Sequence, residues 1–194
     1  MRSDARANRD RILAAAEEVF GELGATGSTE DVARRAGVGV ATVFRHFPTK
    51  RDLLGATVVR HFEHLTSYAR AAGSEPEAGA AFRALLSTMT ERGAGKIVML
   101  GLLIDAGGFT EGALRASAAL RTEVDASLRR AQGAGAIRTD VTVDDVYLLI
   151  RGLSLAAAHP SIEPSATGPA LRVVLDGLAA GAAAPRPAPD ATAT

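Results

Sequence analysis

The chain has 194 residues, 47% of them hydrophobic and 23% charged, enough to bury a sizeable core in one or two small domains. It has no cysteine, which excludes a disulfide framework and a thiolate metal site. Its 22 basic and 22 acidic residues cancel, which excludes a uniformly basic polyanion binder and leaves a local patch as the route to nucleic acid.

The opening residues are charged and lack the apolar run of a signal peptide, and no window nears the roughly 18 apolar residues of a membrane span. A cytoplasmic protein without membrane contact is the expectation. From Ala7 onward Ile12, Leu13, Ala16, Val19, Phe20 and Leu23 form one helical stripe, ended by Gly24. Arg2, Arg6 and Arg9 read as a frayed terminus rather than an arm. Ser28, with Asp31 three residues on, has the spacing of a capping box and opens a short helix over residues 29–36. Gly37 stops it, and a second short helix fits residues 40–47. Pro48 breaks that one, and Thr49 caps a fourth helix whose Leu54, Val58, His61, Phe62, Leu65 and Tyr68 keep helical spacing.

Small and polar residues at 71–79 mark a linker. Phe82, Leu85, Leu86 and Met89 make a fifth stripe. Residues 97–104 are apolar all round, as in a buried helix, and Gly107 and Gly108 end it. Ala113, Ala116, Leu120, Val124 and Leu128 form the next stripe. Thr142 and Asp145 repeat the cap before Val146, Leu149, Ile150 and Leu153. The last helix carries Leu171, Val174, Leu175 and Leu178. No segment alternates with period two over a strand's length, so the predicted fold is all-α. The final residues, rich in Ala, Pro and Thr, are expected to be disordered.

Charge is unevenly placed. Residues 32–51 hold five Lys/Arg and no acid. A short capped helix, a glycine turn and a second short helix make a helix-turn-helix pattern. Gly37 suits a turn needing positive φ, Val38 plugs the angle between the helices, and Val43 and Phe47 face inward. That leaves Val40, Ala41, Thr42, Phe44, Arg45 and His46 on the outward face or its edges. Such a helix is roughly 10 Å long and enters a major groove about 12 Å wide. Val40 and Ala41 permit close approach, Arg45 reaches guanine, and Thr42 reaches a phosphate or base edge. For Phe44, core packing and groove contact fit equally. Arg34 and Arg35 point about 100° apart, so one serves a phosphate and the other the structure. Lys50 stands at a helix N-terminus, which favours anions, and makes sense there if a phosphate docks. Ser28, Thr29 and Arg34 complete the candidate DNA contacts.

The run "STEDVARRAGVGVATVFRHFPTKRDLL", preceded by "RILAAAEEVFGELG", resembles the TetR/AcrR family of transcriptional regulators. Ala33, Ala36, Gly37, Val38, Phe44, Phe47, Thr49 and Lys50 fall at the places of the family pattern, over about the first 55–60 residues. Gly39 stands where a Ser or Thr cap is usual, and Phe44 where Tyr is common. The resemblance implies a homodimer whose larger helical domain binds a small ligand and thereby weakens operator binding. Its last two helices, here about residues 142–158 and 169–180, would form a four-helix seam. The implied organisation is a helix-turn-helix domain at 1–55 (motif 28–47), a ligand-binding and dimerisation domain at 56–182, and a tail at 183–194. The implied partners are double-stranded DNA at a palindromic operator, an unidentified small-molecule effector and a second copy of the chain.

The pocket is expected between the fourth and seventh helices. Its candidate residues are Phe62, Leu65, Tyr68, Phe82 and Met89, with Met99, Leu103, Phe109 and Leu114 from the following segments. Aromatics at 4% favour a small or aliphatic ligand over a stacking cage. His61 and His64 share an i, i+3 spacing beside Glu63, but no third ligand accompanies them, so neither metal nor cofactor is expected. No nucleophile–base constellation or phosphate-loop glycine pattern appears, so no enzyme is expected. The rival reading is a helical small-molecule-binding protein or enzyme whose head is not used for DNA.

Overall fold

The computed structural model describes residues 2–159 and 161–181. The tail at 183–194 lies outside them. The helices run α1 (Arg2–Leu23), α2 (Thr29–Ala36), α3 (Val40–His46), α4 (Lys50–Ala72) and α5 (Ala78–Glu91), then α6 (Gly93–Asp105), α7 (Glu111–Gly133), α8 (Val143–Ala157) and α9 (Thr167–Gly177). Among the described residues there is no strand, and the fold is all-α. None of their helices is long and apolar enough to cross a membrane.

Three helices start on the same local device. Ser28 Oγ accepts the Asp31 N–H at 3.0 Å, and the Asp31 carboxylate accepts the Ser28 N–H at 3.1 Å. Thr49 with Asp52 opens α4 in the same way, and Thr142 with Asp145 opens α8. Each box satisfies donors that a helix start otherwise leaves unpaired. The Ser28 hydroxyl and backbone N–H hold the Asp31 carboxyl below its usual pKa, with Arg34 adding less. A folded pKa below the unfolded value means stability that is present above about pH 3.9 and lost as pH falls through the folded pKa. Asp31→Asn is therefore expected to lower the melting temperature at neutral pH. The gap to the parent should close as the pH drops below about 4, in melts recorded across a pH series.

Gly37 ends α2 in the left-handed region, at φ 64° and ψ 38°. A side chain there would be strained, and this turn sets the crossing of α2 and α3. Arg2–Arg6, expected to fray, form the first turns of α1. Further along that helix, the Arg9 guanidinium lies 5.3 Å from the Phe47 ring centroid.

Two apolar clusters hold the helices together. The first joins Ile12 and Phe20 of α1, Val32 of α2, Val43 of α3 and Leu53, Leu54 and Val58 of α4. It also takes in Met99 and Leu103 of α6 and Ala113 of α7, so the head's core draws on residues far beyond position 55. The second joins Leu65 of α4, Phe82 and Leu85 of α5, Val124 of α7, Val146 of α8 and Leu175 of α9. Phe62 packs against both. The segment at 97–104 is not buried all round: Met99 and Leu103, four apart on one face, are enclosed, while Ile104 is 53% exposed.

Candidate nucleic-acid interface and ligand cavity

Helix α3 is fixed from behind and open in front. Val43 and Phe47 are buried, while Ala41, Phe44 and Arg45 are exposed and Val40, Thr42 and His46 are half-buried at the edges. Phe44, for which the sequence allowed either core or surface, is 44% exposed. The two arginines of α2 divide their roles. Arg35 grips Glu18 and Glu22 of α1, each at 2.9 Å, tying α2 to α1 and holding the Glu22 carboxyl below its usual pKa. Arg34 pairs with Asp31 one turn back at 3.0 Å, and its side chain is largely exposed.

Three candidates sit differently from the sequence reading. Lys50 was placed by the need of a helix N-terminus for an anion. Its ammonium instead donates to Gly27 O at 2.7 Å and lies 5.3 Å from the Phe20 ring centroid. Those contacts explain its position without a phosphate, and the hydrogen bond uses one of its three donors. The Ser28 hydroxyl is engaged by Asp31, and Thr29 is buried. Both hold the start of α2.

A cavity of about 500 Å³ opens between α4, α5, α6, α7 and α8. Phe62, Leu65, Met89 and Phe109 line it. Phe82, Met99 and Leu103 are consumed in helix packing, and Tyr68 and Leu114 face solvent. Periodicity marks an apolar stripe but not whether the stripe meets another helix or a void. The sequence reading missed Arg121, Tyr147, Arg151 and Ser154, which line the wall together with His61. Their signal was present: hydroxyls at 147 and 154 interrupt the stripe of Val146 and Ile150. His61 is buried on the cavity side of α4, while His64 lies on the outer groove, so the two do not share a ligand face. Among the described residues no group of three or more His, Cys, Asp or Glu is placed to hold a metal.

The cavity's polar groups are unusual. The Tyr147 hydroxyl and Ser154 Oγ are buried without a hydrogen-bond partner among the described residues. Burial pushes the Tyr147 phenol up to about 12, against the opposing pull of Arg121. Arg121 pairs with Asp144 at 2.8 Å, and its guanidinium lies 5.7 Å from the Tyr147 ring centroid. The cavity also abuts the head. Phe62, Leu100 and Phe109 line it and pack against the first cluster. Arg51 of α4 donates to Gly107 O, in the turn after α6, at 3.1 Å.

Comparison with known proteins agrees with this layout. Residues 12–57 match the family described as "Bacterial regulatory proteins, tetR family", and residues 77–180 match "Transcriptional regulator SbtR-like, C-terminal domain". The crystal structure of a TetR transcriptional regulator from Streptomyces coelicolor is 30% identical with a TM-score of 0.76, over 89% of this chain and 99% of that one. A TetR transcription regulatory protein from Mycobacterium vanbaalenii is 31% identical with a TM-score of 0.75, over 92% and 98%. An HTH-type transcriptional regulator of Staphylococcus aureus is 38% identical over 64 residues, 32% of this chain, and the match spans about a third of that relative's length (35%). With both halves of the chain matched, the helix-turn-helix head by one family domain and the cavity-bearing helices by another, the chain belongs to the TetR family of transcriptional regulators.

Proposed function

We propose that the protein is a ligand-responsive transcriptional repressor that binds a palindromic operator as a homodimer and is released by a small-molecule effector. The observation that carries the reading is α3, anchored by Val43 and Phe47 and presenting Ala41, Phe44 and Arg45 to solvent. Arg45 reads a base edge, Val40 and Ala41 meet thymine methyls, and Thr42 and His46 contact the groove's sides. Arg34 takes a phosphate, and Lys50 offers its remaining donors to another. Dimerisation through α8 and α9 would set two such helices about 34–36 Å apart, or a multiple of that. The effector acts by binding better to a dimer whose heads are wrongly spaced. Phe62, Leu100 and Phe109, shared between cavity and head core, and the Arg51–Gly107 contact offer the route.

Footprinting on DNA upstream of its own gene, followed by anisotropy titrations across salt, tests this. The logarithm of affinity should fall linearly with the logarithm of salt concentration. Arg34→Ala is expected to weaken all sequences alike and reduce that slope by about 1. Arg45→Ala should instead lose about 1–3 kcal/mol of discrimination between operator and mismatched duplex. Affinity for duplex DNA that ignores salt would overturn the reading.

A further inference from the structure

We propose that a second copy of the chain closes the mouth of the cavity, so that the effector site is complete only in the dimer. This inference rests on the homodimer reading given above. The mouth is marked by residues that line the cavity and are also open to solvent. On α8 these are Asp144, Leu148 and Arg151, and on α7 Arg121. Asp144, Leu148 and Arg151 stand at i, i+4 and i+7, one stripe of the helix. Leu155, exposed and outside the cavity lining, is the next residue on that stripe. The deeper wall residues Leu65, Met89, Leu120 and Ile150 are buried. The exposed stripe of α8 is therefore one rim of the cavity, and it runs on past it.

What covers that rim follows from the chemistry beside it. Leu148 is 72% exposed within one chain. Gly152, Leu155 and Ala156 of α8 are exposed and uncharged as well. Helix α9 packs against α8 and presents Ala170, Val173 and Gly177 at i, i+3 and i+7, also exposed and uncharged. Two adjoining stripes of small and apolar residues offer a charged partner nothing to pair with. They suit a copy of themselves, which buries the same face on both sides. Leu148 belongs to both features, the cavity lining and the uncharged face. A copy seated on Leu148 and Leu155 therefore lies over the rim. Arg151 and the Arg121–Asp144 pair flank the opening and form the polar margin where seam and mouth meet. An effector in the cavity then touches both copies. By linkage it strengthens the dimer by the factor that dimerisation adds to its own binding. Release from the operator proceeds by respacing the heads of an intact dimer, not by separating the copies.

The chain has no cysteine, so single introduced cysteines report on the cavity without a ligand. Ile97→Cys puts a thiol on the half-buried α6 wall of the cavity. Leu23→Cys, at an exposed position of α1 outside both the cavity lining and the α8–α9 face, is the control. Reaction with N-ethylmaleimide is timed on the full chain over a dilution series, and sedimentation gives the dimer fraction at each concentration. Ile97→Cys is expected to react at least about 10-fold more slowly in the dimer than in the monomer, because reaction then awaits opening of the seam. Leu23→Cys should react at one rate throughout. Adding Leu155→Glu and Val173→Glu should give Ile97→Cys the monomer rate at every concentration. Ser117→Cys, across the mouth on α7, repeats the test should Ile97→Cys fail to fold. A dimer whose cavity thiol reacts as fast as the monomer's would overturn the inference and leave the homodimer standing. A chain that sediments as a monomer at every concentration removes both.

Discussion

Replacing Leu155 and Val173 together by glutamate is expected to turn the protein into a monomer and to lower operator affinity by at least about 100-fold. Leu155 on α8 is 59% exposed and Val173 on α9 is 73% exposed, although their helix neighbours Ser154, Leu171 and Leu175 are buried. Leu148 adds to the same uncovered apolar surface, and Gly152, Ala156, Ala170 and Gly177 beside it are exposed and small, so two backbones can approach closely. If a second copy covers this face, two-fold symmetry places each new carboxylate in the seam twice. Truncating or mispairing a buried charge costs about 3–5 kcal/mol, and a factor of 100 needs only about 2.8. A monomer also brings one recognition helix to a two-half operator. Because both positions face solvent within one chain, the variant should keep its helical circular dichroism, while its melting temperature loses the concentration-dependent part that dimerisation adds. Sedimentation equilibrium and anisotropy read the two effects. A variant that stays dimeric with unchanged affinity would remove α8 and α9 from the interface.

The local devices were legible because they are built from neighbours in sequence. Ser28 with Asp31, Thr49 as the cap of α4, Thr142 with Asp145, and Gly37 at its positive φ all follow from residues at most three apart. The helix-turn-helix face was legible for the same reason, since seven residues and two inward anchors define it. What escaped depends on distance along the chain. Lys50 finds its carbonyl 23 residues away at Gly27, and Arg35 reaches back to Glu18 and Glu22. The cavity is the extreme case, with walls from five helices, so an apolar stripe alone does not tell Met89, which lines it, from Phe82, which packs solid. Polar residues inside an otherwise apolar stripe were the better guide: Tyr147 and Ser154 break the pattern of α8, and both residues line the cavity with their hydroxyl oxygens buried.

Leu103→Ala is expected to cost about 2–5 kcal/mol of unfolding free energy, although the residue lies about sixty positions from the recognition helix. Leu103 is fully enclosed and belongs to the cluster of Ile12, Phe20, Leu53 and Val58. Its truncation leaves a void inside the head's own core. Leu114→Ala, at a position 56% exposed, should stay within about 0.5 kcal/mol and serves as the control. For the same reason a fragment of residues 1–55 should show little cooperative unfolding, because Val58, Met99, Leu103 and Ala113 no longer cover it. The site carries a functional consequence. Leu103 stands four residues before Gly107, which accepts the Arg51 hydrogen bond, and three after Leu100, which lines the cavity. A void there slackens the piece that both the head and the cavity hold. Operator affinity in Leu103→Ala should therefore respond less to any bound effector than in the parent, at temperatures where both are folded. Urea unfolding gives the stability and anisotropy gives the coupling. A loss under 0.5 kcal/mol with full effector response would show that the head folds and acts apart from α6.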